Sequence, residues 1–160
     1  MKAFEGFPKG LPVVFIATVA VYLLAFYGIE HSRDRKGPWR VRFDLGEDGA
    51  PAVVISQAEL AINGVRIVFP EETAPEGFAP SQIAFSRPRR VPFVTPLGEC
   101  FFQDLTFLPG TVTLRPFDGH EIEMLPRALF VNRREYAWDA VDEIRVYQTN
   151  RVPHLIAEED

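Results

Sequence analysis

The chain has 160 residues, a net charge of −5 and a single cysteine, Cys100. Its only charged residues before Glu30 are Lys2, Glu5 and Lys9. From Glu30 onward the chain has 15 basic and 21 acidic residues, a net charge of −6. This balance argues against a nucleic-acid-binding surface, which needs a basic stripe, and one cysteine excludes an intramolecular disulfide.

The segment from Gly10 to Ile29, GLPVVFIATVAVYLLAFYGI, contains no charged residue. Twenty helical residues extend roughly 30 Å, the thickness of a bilayer's hydrocarbon core. Pro12 falls in the first turn, where its missing N–H costs no hydrogen bond. A signal peptide would have a shorter apolar run and a better cleavage site, and a buried core helix would have a polar face. We therefore predict one transmembrane helix over 10–29, preceded by a tail over 1–9.

Bulky side chains recur along one side of this helix. Close helix dimerisation through small residues is not expected, because Val21 follows Ala17 and Leu24 follows Ala20 at a spacing of four. The bulky positions could face lipid, or they could contact other membrane subunits or bound cofactors. We call them the aromatic stripe: Phe15, Val19, Tyr22 and Phe26.

A charged linker over 30–38 follows the helix and is rich in basic residues. Basic residues that flank a transmembrane span favour the cytoplasmic side of the membrane. Five basic residues follow this span, whereas only two, Lys2 and Lys9, precede it. We predict a cytoplasmic domain, with a periplasmic domain as the alternative. The candidate contacts to lipid headgroups or to an acidic partner in this flank are Arg33, Arg35 and Lys36.

From Trp39 onward the chain alternates between apolar and polar residues. The run WRVRFDL (39–45) places every second side chain on an apolar face, which is typical of a half-buried strand. Ser56 and Glu59 form a capping-box pattern that predicts a short helical turn over 57–62, ended by Asn63-Gly64. Nine or ten short strands over 39–148 predict an antiparallel β-sandwich of jelly-roll kind, with 149–160 as a loosely held acidic tail. Between the last two strands, 127–132 and 143–148, we expect a loop or short helix over 133–141.

One hairpin is specified in register by the sequence. Segments 111–116 and 120–125 flank Phe117-Asp118-Gly119. A three-residue loop pairs Leu114 with Ile122, which keeps the apolar face on one side and places Arg115 opposite Glu121. This loop type requires Gly119 in the left-handed conformation.

Candidate catalytic and metal-binding residues are few. His31, His120 and His154 are far apart in sequence, and no local spacing brings metal ligands together. Cys100 lies among phenylalanines, where a thiol is usually inert. Asp104 is expected to face solvent rather than to act as a buried acid. We predict no catalytic residues, no metal and no cofactor held by the domain.

Two further surface patches are candidates for partner contact. Arg87, Arg89 and Arg90 form a compact basic loop that could bind lipid headgroups or an acidic partner, although a solvated loop has the same composition. The second patch combines arginine with aromatic residues, which are enriched at interface hot spots. It consists of Arg133, Arg134, Tyr136 and Trp138.

The organisation as a whole, a short tail, one span and a compact β-domain behind a basic flank, resembles that of single-span accessory subunits of photosynthetic and respiratory complexes. The resemblance is one of architecture and implies a non-catalytic subunit whose partners are other membrane subunits and the bilayer. The alternative is an extracytoplasmic β-sandwich that binds carbohydrate or peptide, with Tyr136 and Trp138 as an aromatic platform.

Overall fold

The computed structural model describes residues 10–33 and 36–153, and the chain divides between Arg35 and Lys36 into two compact units. The first contains one helix, α1 (Leu11–Arg33). It continues four residues beyond the predicted end at Ile29, because no helix-breaking residue follows before Gly37-Pro38. From Leu11 to Ser32 it is long and apolar enough to cross a membrane.

The second unit is a β-domain with two sheets. Within residues 36–153 its strands are β1 (Arg40–Leu45), β2 (Pro51–Gln57), β3 (Ile62–Val68), β4 (Ser81–Ala84), β5 (Phe93–Thr95), β6 (Gly98–Asp104), β7 (Thr111–Arg115), β8 (Ile122–Met124), β9 (Leu129–Val131), β10 (Arg134–Tyr136) and β11 (Glu143–Arg145). One sheet has the order β11-β3-β2-β1-β4 and the other β10-β9-β8-β7-β6-β5.

The predicted fold class, one N-terminal apolar helix followed by a two-sheet β-domain, is confirmed. The jelly-roll comparison applies to the two layers only. The chain passes between the sheets after β4 and after β10, and within a sheet the connection from β3 to β4 crosses over β2 and β1, while the other connections join neighbouring strands. All strand pairs are antiparallel except β11 with β3, where Ile144 lies opposite Ile67. The parallel pair arises because β11 joins the outer edge of β3 from the other sheet, so no hairpin fixes its direction.

Alternation along the strands builds the core between the sheets. Val41 and Phe43 are fully buried, while Arg40 and Arg42, which alternate with them, are exposed, as the period of two predicts. On the facing sheet Leu114 and its neighbours are buried in the same apolar cluster. The largest fully buried apolar side chains are Trp39, Phe43, Phe69, Ile55, Ile67, Leu97, Leu114, Ile122, Met124 and Leu129.

The helical turn after β2 differs from its prediction. It is a short 3-10 turn over Ala58–Leu60, capped by Gln57 rather than Ser56, with the Gln57 carboxamide oxygen accepting from the Leu60 N–H at 2.8 Å. It ends at Ala61, which has a left-handed φ of 55°, so Asn63-Gly64 belongs to β3 instead of ending the turn. Gln57 takes over the cap because its amide group also donates to the carbonyls of Lys36 and Gly37.

The predicted β7–β8 hairpin is confirmed in register. Leu114 lies opposite Ile122 and Val112 opposite Met124. The Arg115 Nε atom lies 3.5 Å from a Glu121 carboxylate oxygen, and Gly119 has a φ of 74°.

The segment after β9 was predicted as a loop or short helix over 133–141, and this was wrong for its first half. Asn132 and Arg133 have φ values of 49° and 67°, a two-residue left-handed turn that leads straight into β10. Two consecutive non-glycine residues in this conformation are uncommon, so the sequence did not signal the turn.

The predicted loosely held tail, 149–160, is packed in its first part. The Val152 side chain is buried, and its N–H donates to the Gly119 carbonyl at 2.8 Å. The remainder, 154–160, lies outside the described residues.

A glycine pair tests how tightly the β6–β7 loop packs. Gly110 and Gly49 both have positive φ values, 70° and 78°, so alanine is similarly strained at each. A Cβ at position 110 would collide with the Asp104 carbonyl oxygen, whereas at position 49 it meets nothing within 4 Å. Gly110→Ala should therefore lower the free energy of unfolding by roughly 3 kcal/mol or more, and Gly49→Ala by about 1 kcal/mol. Denaturant unfolding of the full chain in detergent measures both, and equal losses would contradict the packing described for this loop.

Candidate functional site

The aromatic stripe lies on the surface of α1. The rings of Tyr22 and Phe26, one turn apart, are stacked with their centroids 6.4 Å apart. No described residue hydrogen-bonds the Tyr22 hydroxyl, whereas the hydroxyl of Thr18 donates to the Val14 carbonyl within the helix at 2.8 Å. The exposed fractions of the stripe side chains are 69% for Phe15, 40% for Val19, 66% for Tyr22 and 49% for Phe26.

The predicted arginine–aromatic patch is divided by the structure. The Arg134 guanidinium lies 5.4 Å from the centroid of the Tyr136 ring on β10, an arrangement that allows a cation–π contact. Both residues line a cleft of about 290 Å³ at the edges of the two sheets. The cleft is lined by Val131, Asn132, Arg134, Tyr136, Arg145, Val146 and Asn150.

Trp138, the fourth member of that patch, packs within the domain. Its ring lies against that of Trp39, with centroids 5.2 Å apart. Its indole N–H donates to the Leu125 carbonyl at 2.9 Å. Tyr136 and Trp138 therefore do not form a pair of open rings, and Arg133 beside them is exposed on the turn before β10.

The basic loop follows β4 and bridges the two sheets. Arg87, Arg89 and Arg90 are all exposed. The Arg89 carbonyl accepts from the Gln103 side chain at 2.6 Å, and its guanidinium lies 5.4 Å from the centre of the Phe93 ring. The loop is thus attached to β6 while its guanidinium groups face solvent.

The three basic residues predicted in the linker are only partly described. Lys36 is exposed, and its carbonyl accepts a hydrogen bond from Gln57. Arg33 ends α1, but its side chain lies outside the described residues, as does the whole of Arg35.

A buried polar cluster that sequence reasoning missed centres on His120, which is 1% exposed. Its Nε2 lies 3.2 Å from Glu72 Oε1, and its Nδ1 lies 2.9 Å from the amide nitrogen of Asn132. Because an amide nitrogen can only donate, Nδ1 accepts and the Nε2–H donates to the carboxylate. Arg151 donates to the same Glu72 oxygen at 2.6 Å.

This cluster joins segments far apart in sequence. The Asn132 amide also donates to the Asn150 carbonyl at 2.8 Å, and its oxygen accepts from the Glu121 N–H at 2.8 Å. Beside it, the Gln148 N–H donates to a Glu71 carboxylate oxygen at 2.7 Å. Both imidazole nitrogens of His120 are thus occupied and shielded, an arrangement that fits a structural clamp better than a general base.

The remaining candidate groups have surroundings that suppress reactivity. Burial raises the pKa of the Cys100 thiol to about 11, so its thiolate is scarce at neutral pH. Hydrogen bonds from the Thr106 backbone and side chain hold the pKa of Asp104 below its usual value, as suits an exposed, ionised carboxylate. Among the described residues, no group of three or more histidine, cysteine, aspartate or glutamate side chains could hold a metal ion.

A second cleft, of about 470 Å³, lies on the outer side of the five-stranded sheet. Its lining mixes both signs of charge, with Arg66 and Arg145 close to acidic residues, and Arg145 Nε is 2.9 Å from a Glu143 oxygen. The lining residues are Gly46, Glu47, Asp48, Arg66, Val68, Glu143 and Arg145. Such internal pairing leaves no single sign of charge to select a ligand.

Comparison with known proteins adds no relative to this description. No family model, no curated protein and no solved structure matches the chain.

The buried cluster gives the domain a defined response to acid. Burial, opposed by Glu72 and assisted by Arg151, lowers the pKa of His120 below the value of 6.5 that it has in an unfolded chain. Below pH 6.5 the unfolded chain therefore binds more protons at this residue, so its contribution to stability is complete above pH 6.5 and is lost as the pH falls toward the lowered pKa. We expect the melting temperature to fall between pH 7.5 and pH 5, and His120→Gln to flatten that slope.

Replacing an exposed histidine provides the control. His31 lies on α1 and is exposed. His31→Gln should leave the pH dependence unchanged, and equal slopes for the parent chain and His120→Gln would refute a buried neutral imidazole.

Proposed function

We propose that the chain is a non-catalytic, single-span subunit that attaches a compact β-domain to a larger membrane protein complex. The observation that carries the proposal is the surface of α1. Its bulky apolar side chains are exposed on every side, from 40% for Val19 to 73% for Leu24. A helix apolar all round requires lipid or apolar protein around it.

The aromatic stripe is the proposed attachment surface within the membrane. Hydrocarbon cannot hydrogen-bond the Tyr22 hydroxyl, and an unpaired hydroxyl in an apolar medium costs several kcal/mol, of the order of 2–7. A neighbouring subunit or bound cofactor that accepts this hydrogen bond would remove the cost. Stacking of Tyr22 on Phe26 gives that neighbour a preformed ridge to pack against.

The domain is proposed to lie on the cytoplasmic side. The support is the excess of basic residues in the flank behind the span, including Lys36 and Arg40 at the start of the domain. The proposal of a periplasmic domain has only the short N-terminal lysine pair in its favour.

The alternative of an extracytoplasmic binding module receives less support from the domain. Carbohydrate recognition through two open rings is not favoured where Trp138 lies against Trp39. The cleft beside Arg134 and Tyr136 could take a small anionic group, and a ligand screen against the full chain would detect it.

The attachment proposal is tested by removing the ring character of the stripe while keeping the span apolar. Phe15→Leu, Tyr22→Leu and Phe26→Leu combined should preserve membrane insertion, because leucine is at least as apolar. The triple variant should lose its place in the complex. After mild detergent solubilisation of membranes from the source cells, it should migrate alone on a native gel, whereas the parent chain migrates with a large assembly.

A matched triple variant controls for changed packing elsewhere on the helix. Val13, Ala17 and Ala20 lie on another side, roughly 130° or more from the centre of the stripe at 100° per residue. Replacing these three with leucine should leave co-migration intact. Retention of the stripe variant in the assembly would place the attachment in the β-domain, and a parent chain that migrates alone would refute the subunit proposal.

Sidedness is tested with introduced cysteines, because Cys100 is buried and should not react in the folded chain. Glu47 is exposed in the turn between β1 and β2. A membrane-impermeant maleimide added to intact cells should leave Glu47→Cys unlabelled and should label it after lysis. Ala3→Cys, before the span, should show the opposite pattern, and labelling of Glu47→Cys in intact cells would reverse the orientation.

A further inference from the structure

Strand directions bring separate loops to the end of the β-domain where the chain enters it. The Gln57 amide donates to the carbonyls of Lys36 and Gly37, which fixes the incoming segment to the end of β2. The Phe85 N–H donates to the Trp39 carbonyl at 2.9 Å, so the loop after β4, 86–92, starts here. We call this the entry end of the domain.

Two more connections meet at the entry end. The Trp39 indole N–H donates to the Gly110 carbonyl at 3.0 Å, which places the β6–β7 loop, 105–110, beside it. Trp138, packed on Trp39, donates to the Leu125 carbonyl and so brings in the β8–β9 turn, 125–128. None of these loops is adjacent to another in sequence.

The entry end is basic and carries an exposed aromatic ring. Phe107, in the β6–β7 loop, is 58% exposed, although it lies between the buried residues Leu105 and Leu108. Acidic side chains at this end are Glu59, Asp104 and Asp139, and Asp104 is occupied by the Thr106 N–H. The exposed basic residues are Lys36, Arg40, Arg87, Arg89, Arg90 and Arg127.

The opposite end of the domain is acidic. It contains the β1–β2 turn, the loop after β3, the β7–β8 hairpin loop and the β9–β10 turn. The Glu72–His120 and Asn132–His120 contacts join the last three. Its acidic residues are Glu47, Asp48, Glu71, Glu72, Glu76 and Asp118, and they outnumber the basic residues there, Arg133, Arg134 and Arg151. The charge of the domain is therefore polarised along its strands, although its net charge is negative.

We propose that the entry end is a membrane-docking face, in which the arginines of loop 86–92, with Arg127, bind anionic phospholipid headgroups and Phe107 inserts at the interface. This rests on the proposed membrane anchoring and deepens it. Only residues 34 and 35 separate the end of α1 from Lys36, so chain connectivity holds the entry end close to any bilayer that α1 spans. Lipid is favoured over an acidic partner protein because the basic loops surround the point of attachment. Basic side chains attract anionic lipid within a Debye length of the surface, and an interfacial aromatic ring adds apolar contact.

The experiment uses the full chain in lipid nanodiscs. Thr106→Cys, next to Phe107, and Glu47→Cys, at the opposite end, are each labelled with the same fluorophore, while buried Cys100 stays unlabelled. The discs contain lipids with a quencher in the headgroup region, with or without about 30% phosphatidylglycerol.

We expect strong quenching at position 106 in anionic discs, little in neutral discs and none at position 47. Combining Arg87→Gln, Arg89→Gln and Arg90→Gln should abolish the anionic-lipid dependence at position 106, as should about 0.5 M salt. Phe107→Ser should reduce quenching with the arginines intact. Equal quenching at positions 106 and 47, or no quenching at either position in anionic discs, would overturn the proposal. An acidic partner protein would then be the remaining candidate ligand of the entry end.

A failure of membrane anchoring would be distinguished from a failure of docking by co-purification with the discs. A chain that does not span the bilayer would not co-purify with the discs at all, whatever the fluorescence at position 106. Circular dichroism of the triple arginine variant, whose changed side chains are exposed, should match the parent chain. A variant that keeps its fold and its place in the discs but still shows lipid-dependent quenching would also overturn the docking face.

Discussion

The structure of the domain depends on the indole of Trp39. This side chain is fully buried at the point where the incoming chain becomes β1. Its N–H donates to the Gly110 carbonyl in the β6–β7 loop of the facing sheet, its ring packs on Trp138, and its backbone carbonyl accepts from the Phe85 N–H. A tryptophan buried with its one donor satisfied contributes a large apolar area without the cost of an unpaired polar group. One residue thus closes the sandwich across both sheets at the entry end.

Local patterns were sufficient to predict the layers of the fold. Alternation over 39–45 and the charge match between Arg115 and Glu121 each depend on neighbouring residues or one short loop, so sequence reasoning obtained both. The turn cap was assigned incorrectly because Gln57 was chosen by its contacts to Lys36 and Gly37, twenty residues away. The parallel pairing of β11 with β3 places Glu143 opposite Arg66, 77 residues away in sequence, and no local pattern encodes such a contact.

The candidate sites divide in the same way. Helical periodicity predicts that the aromatic stripe lies on one side of α1, and the loop position of the arginines predicts their exposure. The clamp around His120 could not be predicted, because its contacts join residues far apart in sequence. Glu72 is 48 residues from His120, and Arg151 is 79 residues from Glu72. The available signal was weaker. A histidine at an inward-facing position of a hairpin needs a hydrogen-bond partner for each ring nitrogen, and an acidic residue of an adjoining loop can supply one of them.

The edges of the two sheets bear on how such a domain meets other proteins. The strands at the edges, β4, β5, β10 and β11, have three or four residues each, and the loop over 86–92 is attached beside β5 through Gln103. Short edges offer few backbone groups for strand addition, which limits pairing of the domain with neighbouring copies. Specific contacts are then more readily made by side chains, and the exposed ones with distinctive chemistry lie on α1 and on the entry-end loops. In the proposed arrangement the span selects a neighbour within the bilayer, while the basic loops set the orientation in which the domain is presented to it.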